Sequence, residues 1–226
     1  MINKNYKIIH NKYLRFFKFF FFLRHVFAIF LIAILSFLLI PKFFNYEKKE
    51  RIIMEYLANH YDLELINYSS IEFKVLPFPN LSIKDSNLKF KKHPIFFNTK
   101  NLNIFLYLKN LYDYEKFEAK KILLNDSEIN LDIERTNNIF NYFGTLKHNL
   151  DIQNLDLNFK KKENSILELK KIYFSNYGYK KSKIKGEIFN KRFKAYLSKN
   201  NKDLKFKILN TGIKADFNFD KTNRAN

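Results

Sequence analysis

The residue types that most often do chemistry are present in this chain, but none of them forms a recognisable catalytic or metal-binding motif. His10, His25, His60, His93 and His148 stand isolated, and no pair has the spacing of two ligands to one metal ion. The chain has no cysteine, which excludes disulfides, thiolate metal sites and a cysteine nucleophile. It also has no glycine-rich phosphate loop and no Gly-x-Ser-x-Gly turn. We therefore expect no enzyme activity, no bound metal and no cofactor.

The acidic side chains follow a pattern that a catalytic pair would not explain. Residues 128–134 alternate strictly between polar and apolar side chains, with Glu128, Asp132 and Glu134 on the polar phase. Residues of one phase lie on one face of a β-strand. We therefore interpret these carboxylates as solvated and look for function in the apolar phase.

Alternation of this kind recurs from Leu63 to Phe219 and predicts roughly eleven β-strands. Breaks fall every ~10 residues and contain Asn, Lys, Ser and Gly, which are typical of turns. Connections this short favour antiparallel pairing, and the alternation predicts one dry face and one wet face. Residues 125–127 and 137–144 interrupt the pattern, and we interpret them as a turn and a loop.

A single sheet with one apolar face must bury that face. It can close into a barrel, split into a sandwich, or curl into a trough that holds something apolar. Residues 45–60 predict a short helix, capped by Asn45, that is placed to plug one end. No helical periodicity follows Leu150, which favours self-closure, curling around lipid, or continuation of the sheet in a longer chain.

The predicted fold is mostly β with an N-terminal transmembrane helix: a single curved antiparallel sheet, groove-like or taco-like, capped by a short helix. The apolar phase of this sheet supplies the candidate lipid-binding residues. These are Leu102, Ile104, Leu106, Leu108, Ile129, Leu131, Ile133, Leu155, Leu157, Phe206 and Ile208. We expect them to hold acyl chains through buried area alone, without head-group chemistry.

One uncharged apolar run, Val26–Ile40, precedes the predicted sheet. Its length corresponds to only about 22 Å of helix, so we extend the predicted transmembrane anchor to residues 26–44. The alternative is an extension towards the N terminus through Phe19–Leu23, with the Arg24 side chain snorkelling to the membrane surface. A cleaved signal peptide is the alternative, and the lack of a small-x-small cleavage site after Ile40 favours the uncleaved anchor. Residues 1–25 form a basic leader without an acid, which places the N terminus in the cytoplasm and residues 45–226 beyond the membrane.

The formal net charge is +19, as in many chains that bind nucleic acid or anionic lipid. The chain is also rich in Lys, Asn, Ile, Phe and Tyr, with only 4 Gly and no Trp, which is typical of an AT-biased coding sequence. Because the lysines are distributed along alternating segments, we interpret them mainly as a solvated face, with functional attraction of anions as the alternative. We expect no nucleic-acid partner.

The stretch Ile53–Phe90 carries a recognisable motif, in which a short helix leads to a strand that ends in a proline-rich connection. The motif residues are Leu76, Pro77, Phe78, Pro79 and Leu81. This order resembles the start of AsmA-family proteins, whose usual pattern is close to leucine-proline-small-proline-x-leucine after an N-terminal membrane anchor.

Residues 117–135 and 138–142 are similar to the next block of that family. Phe140 and Tyr142 stand where the family usually has tryptophans around an asparagine. The glycines that the family usually has near the helix end and the first strand are replaced here. The resemblance therefore covers about residues 20–145.

The resemblance implies a bacterial inner-membrane protein with a single span and a periplasmic bulk. It implies a β-groove that contributes to outer-membrane biogenesis and lipid homeostasis, with phospholipid and the inner membrane as partners and no enzyme activity. At ~4.8 Å per strand the predicted sheet is about 50 Å across, which we do not expect to span a periplasm. Either the chain is a shortened member or a fragment, or a partner protein continues the groove.

A non-enzymatic scaffold or assembly factor for outer-membrane proteins is the alternative function. The last predicted strand, Ile213–Phe219, would be an open edge of the sheet. Open edges pair readily with strands of other chains. In this alternative the edge, rather than the apolar face, is the functional surface.

The charge asymmetry around the apolar run predicts the side of the membrane on which the C terminus lies. We expect alkaline phosphatase fused after Asn226 to be active, because that enzyme folds only outside the cytoplasm, and a fused green fluorescent protein exported by the same route to be dark. Fluorescence without phosphatase activity would contradict the orientation.

Overall fold

The structure is a computed structural model. It describes residues 2–44, 49–110, 117–162, 164–177, 181–198 and 203–218. Within these ranges the chain forms three α-helices and one sheet of eleven strands. It divides into two compact units, residues 1–44 and residues 45–226.

The first unit is one long helix, α1 (Ile2–Leu39), followed by a 3₁₀ turn at Ile40–Phe43. Its apolar span, Phe16–Phe43, has 28 residues, of which the most apolar 18 have a mean hydropathy of 2.5, and is about 42 Å long at 1.5 Å per residue. It is therefore long and apolar enough to cross a membrane, by criteria that an N-terminal signal sequence also meets. The span begins at Phe16 rather than at the predicted Val26, because the phenylalanines before Arg24 continue the same helix.

The first helix of the second unit is α2 (Glu50–Tyr61), which overlaps the predicted range 45–60 and ends one residue beyond it. Asn45, the predicted cap, lies outside the described residues. The buried face of α2 consists of Ile53, Tyr56, Leu57 and Tyr61, at the spacing expected for an amphipathic helix. Asp62 ends the helix in the left-handed conformation, and its N–H donates to the carbonyl of Leu57.

The chain forms eleven strands, the number that the alternation predicted, and they lie in one open sheet. They are β1 (Leu63–Asn67), β2 (Ser70–Lys74), β3 (Asn80–Phe90), β4 (Phe96–Leu106), β5 (Ala119–Asp132), β6 (Leu150–Lys161), β7 (Asn164–Ser175), β8 (Lys181–Ile188), β9 (Lys191–Ser198), β10 (Asp203–Ile208) and β11 (Lys214–Asn218). From β3 to β11 the strands lie in chain order, and β1 and β2 both pair with β3 at the other edge.

One pairing is parallel, so the prediction of a purely antiparallel sheet is wrong. β5 and β6 run in the same direction, from Ile122 beside Leu150 to Asp132 beside Lys160. Two parallel strands need a crossover, and α3 (Thr136–Thr145) supplies it where the sequence predicted a loop. The segment is rich in Asn, Thr and aromatic residues, which have modest helix propensity, so its local pattern did not indicate a helix.

A row of residues with left-handed backbone crosses the sheet at mid-strand. Asp85, Asp126, Asn154 and Lys171 have φ between 47° and 56° in β3, β5, β6 and β7. Asn154 Nδ2 donates to Asp126 Oδ1 across the parallel pair at 2.6 Å. Asp and Asn tolerate this conformation better than most residues. Residues 125–127 are therefore a kink within β5, not the predicted turn between two strands.

Each kink shifts the alternation by one residue and so keeps the same face dry. Leu124 and Ser127 are both buried although they are three positions apart, and so are Ile152 and Leu155. In an unkinked strand, residues three apart would point to opposite faces. The kinks thus allow long strands to present one continuous apolar face.

Helix α3 packs on this dry face, across the strands from β3 to β7. The rings of Tyr142 and Phe90 are 4.7 Å apart, and those of Phe143 and Phe174 are 4.4 Å apart. The Tyr142 hydroxyl donates to the carbonyl oxygen of Tyr61 in α2 at 2.7 Å. The void that remains between α3 and the sheet is ≈ 10 Å³, about the volume of one water probe. This half of the dry face is a filled core.

Helix α2 is fixed to the start of β5 and to the residue before β6 by tyrosine hydroxyls. The Tyr56 hydroxyl oxygen accepts from the N–H of Ala119 at 3.0 Å, and the Tyr61 hydroxyl donates to the carbonyl of Asn149 at 3.2 Å. Both tyrosine rings are buried. Because Tyr61 also accepts from Tyr142, the two helices and the sheet form one hydrogen-bonded core.

We expect Tyr142→Phe to lower the free energy of unfolding by about 1–2 kcal/mol, because it leaves the buried carbonyl of Tyr61 without its donor. The matched control is Tyr196→Phe, at a side chain that is 40% exposed, for which we expect a change within about 0.5 kcal/mol. Urea unfolding of the full chain in detergent measures both. Equal effects of the two substitutions would contradict the assignment.

Candidate functional site

The structure separates the predicted lipid-binding residues by burial. Leu102, Ile104, Ile129, Leu131 and Leu155 are at most 3% exposed and belong to the packed core. The side chains that remain partly exposed are Leu106, Leu157, Phe206 and Ile208. The residues of the first group therefore contact other protein side chains, and the surface that is open to a ligand lies elsewhere on the same face.

Two of the predicted residues do not lie on strands. β4 ends at Leu106, and Leu108 begins a 3₁₀ helix that runs to Asn110. β5 ends at Asp132, and Ile133 begins a second 3₁₀ helix and is 43% exposed. The alternation of polar and apolar residues continues past both strand ends, and for this reason the sequence predicted that Leu108 and Ile133 lie on the apolar face.

The proline-rich motif forms the connection between β2 and β3. Leu76 and Phe78 are 71% and 67% exposed, Pro77 is exposed and Pro79 is partly buried. Leu81, the last motif residue, is fully buried in β3. Four of the five motif residues thus lie outside the sheet, and only Leu81 belongs to the core.

The apolar face continues beyond the part that α3 covers, and there it is only partly buried. We call this region the open apolar surface; it consists of Leu157, Leu167, Leu169, Ile184, Ile188, Phe206 and Ile208, all partly exposed. Register shows that these residues share one face, since Leu169 lies opposite both Leu157 and Ile188. At the last strand, Phe217 is 50% exposed.

Strand β9 forms the buried centre of this region. Phe193, Ala195 and Leu197 are at most 3% exposed. The Phe193 ring lies against Gly186, where a Cβ atom would come within 2.8 Å of it, and its centroid is 5.2 Å from that of Phe206. Side chains of β8 and β10 thus bury the apolar side chains of β9. On those two strands Ile184, Ile188, Phe206 and Ile208 stay partly exposed.

The open apolar surface offers contact area and no reactive group. Among the residues that the structure describes, no three His, Asp or Glu side chains are grouped so that they could hold a metal ion. An apolar ligand would gain about 25 cal/mol for each Å² that it removes from water. The arrangement suits hydrocarbon, which needs contact area and no hydrogen bonds.

A group of titratable side chains lies where the end of α2 meets the start of β6. The His60 ring stacks on Tyr56 at 4.2 Å and meets the His148 ring edge-on at 5.0 Å. Burial lowers the pKa of His148 below its usual 6.5, and the nearby charges of His60 and Lys147 lower it further. The fold therefore favours the neutral form of His148.

No family model, curated protein or solved structure matches this chain. The candidate surface therefore depends on burial and register alone. Sequence reasoning placed Leu167, Leu169, Ile184 and Ile188 on strands but did not select them as lining residues. Their alternation was visible, but which strands stay uncovered depends on where α3 lies.

We expect the free energy of unfolding to decrease as the pH is lowered, because of the titration of His148. Its folded pKa lies below 6.5, so the unfolded chain binds the proton first and the free energy of unfolding decreases from about pH 7 downward until the pH passes the folded pKa. His148→Gln should flatten this part of the stability profile, because it removes the group whose pKa the fold lowers. Unfolding of the full chain between pH 7.5 and about pH 5 measures the slope, and identical slopes for His148→Gln and the parent chain would contradict the expectation.

Proposed function

We propose that this chain is a non-enzymatic, membrane-anchored protein of the AsmA type that holds phospholipid acyl chains on the open apolar surface. In this role it contributes to outer-membrane biogenesis and lipid homeostasis. The observation that carries the proposal is that α3 fills one half of a continuous apolar face, whereas beyond α3 side chains of β6, β7, β8 and β10 stay partly exposed on either side of the buried strand β9.

The partial exposure of the open apolar surface supports a ligand-binding surface rather than a packed protein core. A sheet needs its apolar face covered, and soluble proteins seldom leave large contiguous apolar patches in water unless the patch binds something. Leu167, Leu169 and Ile188 lie at the start of the open surface, and Phe206 and Ile208 lie further along it. Acyl chains match this surface because they need area and no hydrogen bonds.

The long N-terminal helix supports the membrane part of the proposal. Its span, Phe16–Phe43, can cross a bilayer by length and composition. We propose a single pass through the bacterial inner membrane with the basic N terminus in the cytoplasm and the sheet in the periplasm. A permanent anchor would keep the apolar face next to its source of lipid.

Site-specific photocrosslinking tests the proposal. We expect benzoylphenylalanine at Leu167, on the apolar face, to form adducts with phospholipid when cells are irradiated, because acyl chains would lie against that face. Glu168, the next residue of β7, faces the opposite side and is exposed, so it is the matched control and should form several-fold fewer adducts. Mass spectrometry of the purified chain identifies the adducts.

Two outcomes would contradict the lipid proposal. One is an equal yield of lipid adducts at positions 167 and 168, which would mean that the sheet has no preferred face for lipid. The other is adducts to protein only at position 167. Leu169→Asp should abolish the adducts at 167, since it places a charge within the surface.

The alternative function, a scaffold for outer-membrane proteins that acts through the sheet edge, is favoured by a separate observation. β11 pairs with β10 on one side, and no described strand pairs with its other side. The N–H of Ile208 donates to the carbonyl of Ile213 at 3.1 Å, so the carbonyl of Ile213 points towards β10. Backbone groups of neighbouring residues alternate in direction along a strand, so the N–H and carbonyl of Lys214 point away from β10, towards the open edge. Crosslinks from Phe217 to a protein strand, together with no lipid at Leu167, would favour this function over the first.

A further inference from the structure

The wet face of β8–β11 carries four lysines in direct cross-strand register. Lys185 lies opposite Lys194, Lys194 opposite Lys207, and Lys207 opposite Lys214. All four side chains are exposed. Residues directly opposite each other share one face, with Cβ atoms about 4.5–5.5 Å apart. We call these four residues the lysine row.

A second line of residues runs beside the lysine row. Lys183, Tyr196 and Lys205 lie in register on β8, β9 and β10, with Asp216 opposite Lys205 on β11. Tyr196 is 40% exposed. The two lines together bring six lysines, one tyrosine and one acid onto a single face. Strand register therefore gathers on one face of this half of the sheet lysines that the sequence distributes along separate alternating segments.

This arrangement costs stability in the isolated chain, because like charges directly opposite each other destabilise a sheet. Among the described residues, no ion pair involves a member of the lysine row. Glu187, two residues after Lys185 on the same strand, is bound instead by Lys171 at 3.1 Å. Negative charge supplied from outside the chain would remove this repulsion.

We propose that the lysine row and its flanking lysines, Lys183 and Lys205, dock this face of the sheet onto a bilayer surface that contains anionic phospholipid. The ammonium groups would lie among the lipid phosphates, and the exposed ring of Tyr196 would lie at the level of the head groups, where tyrosine is enriched. The docking face is opposite to the open apolar surface, so this proposal is independent of acyl-chain binding and stands or fails separately.

The geometry favours a membrane over a single small anion. Neighbouring strands are about 4.8 Å apart, so the lysine row is an extended line on an exposed face, without a pocket that would enclose one phosphate. The apolar span Phe16–Phe43 is long enough to cross a membrane. A chain held by that span stays close to a bilayer, and the high local concentration that results lets a weak surface contact become populated.

The test uses the full chain held in phosphatidylcholine nanodiscs, mixed with protein-free vesicles that float in a density gradient. We expect binding to vesicles with 30% phosphatidylglycerol, little binding to phosphatidylcholine vesicles, and a strong decrease between ~0.1 M and ~0.5 M salt. Lys194→Glu with Lys207→Glu should weaken binding by at least about 30-fold, because each lysine near an anionic surface contributes roughly 5-fold.

The matched control is Lys120→Glu with Lys161→Glu, which changes the net charge equally at exposed lysines of β5 and β6. This variant should bind nearly as well as the parent chain. Thermal unfolding gives a second readout: the Lys194/Lys207 variant should be at least as stable as the parent, since it relieves repulsion, and it therefore remains informative about binding.

Three results would overturn the proposal. Equal losses in both double variants would mean that net charge alone drives binding. Equal binding to neutral and anionic vesicles would mean that the contact is apolar. Tighter binding of a short DNA duplex than of anionic vesicles at ~0.15 M salt, lost in the Lys194/Lys207 variant, would assign the lysine row to nucleic acid.

Discussion

The structure depends on one constraint: a sheet with one apolar face must have that face covered. For β1 to β7 the chain provides the cover itself. Tyr142 and Phe143 of α3 pack against Phe90 and Phe174, and hydroxyl bonds join Tyr142 to α2 and α2 to the sheet. From β7 onward the cover ends while the apolar face continues. The proposed function follows from this imbalance, because the described residues of the second half have an apolar face and form no helix that could fill it.

The left-handed kinks make this face continuous. Asp126 and Asn154 shift the alternation by one residue in adjacent strands and are joined by a side-chain hydrogen bond of 2.6 Å. Lys171 makes the same shift in β7, where its N–H donates to Asp156 Oδ1 at 3.0 Å. A row of such residues at one level shifts the alternation of several strands together. Leu124 and Ser127, on either side of Asp126, therefore both stay buried on the same face.

The sequence predicted the strands and the side on which their residues lie, because period-2 alternation is a local signal. It did not predict α3, since a ten-residue helix rich in Asn is stabilised by Tyr142 and Phe143 packing on the sheet rather than by its own propensity. Because α3 was not predicted, the parallel pairing of β5 and β6 was not predicted either. For the same reason the sequence could not distinguish core residues such as Leu102 from accessible ones such as Leu169. The lysine row was hidden for a related reason: Lys185 and Lys214 become neighbours in one line only through the register of four strands.

The central claim is that the open apolar surface is a binding surface for hydrocarbon. Native mass spectrometry of the full chain, released from detergent, tests it most directly. The account predicts a retained phospholipid that is lost from the Leu169→Asp, Ile188→Asp variant and kept when Lys194 and Lys207, on the opposite face, are changed to Glu. Lipid-free parent chain, or equal lipid retention in the apolar-face variant, would contradict it.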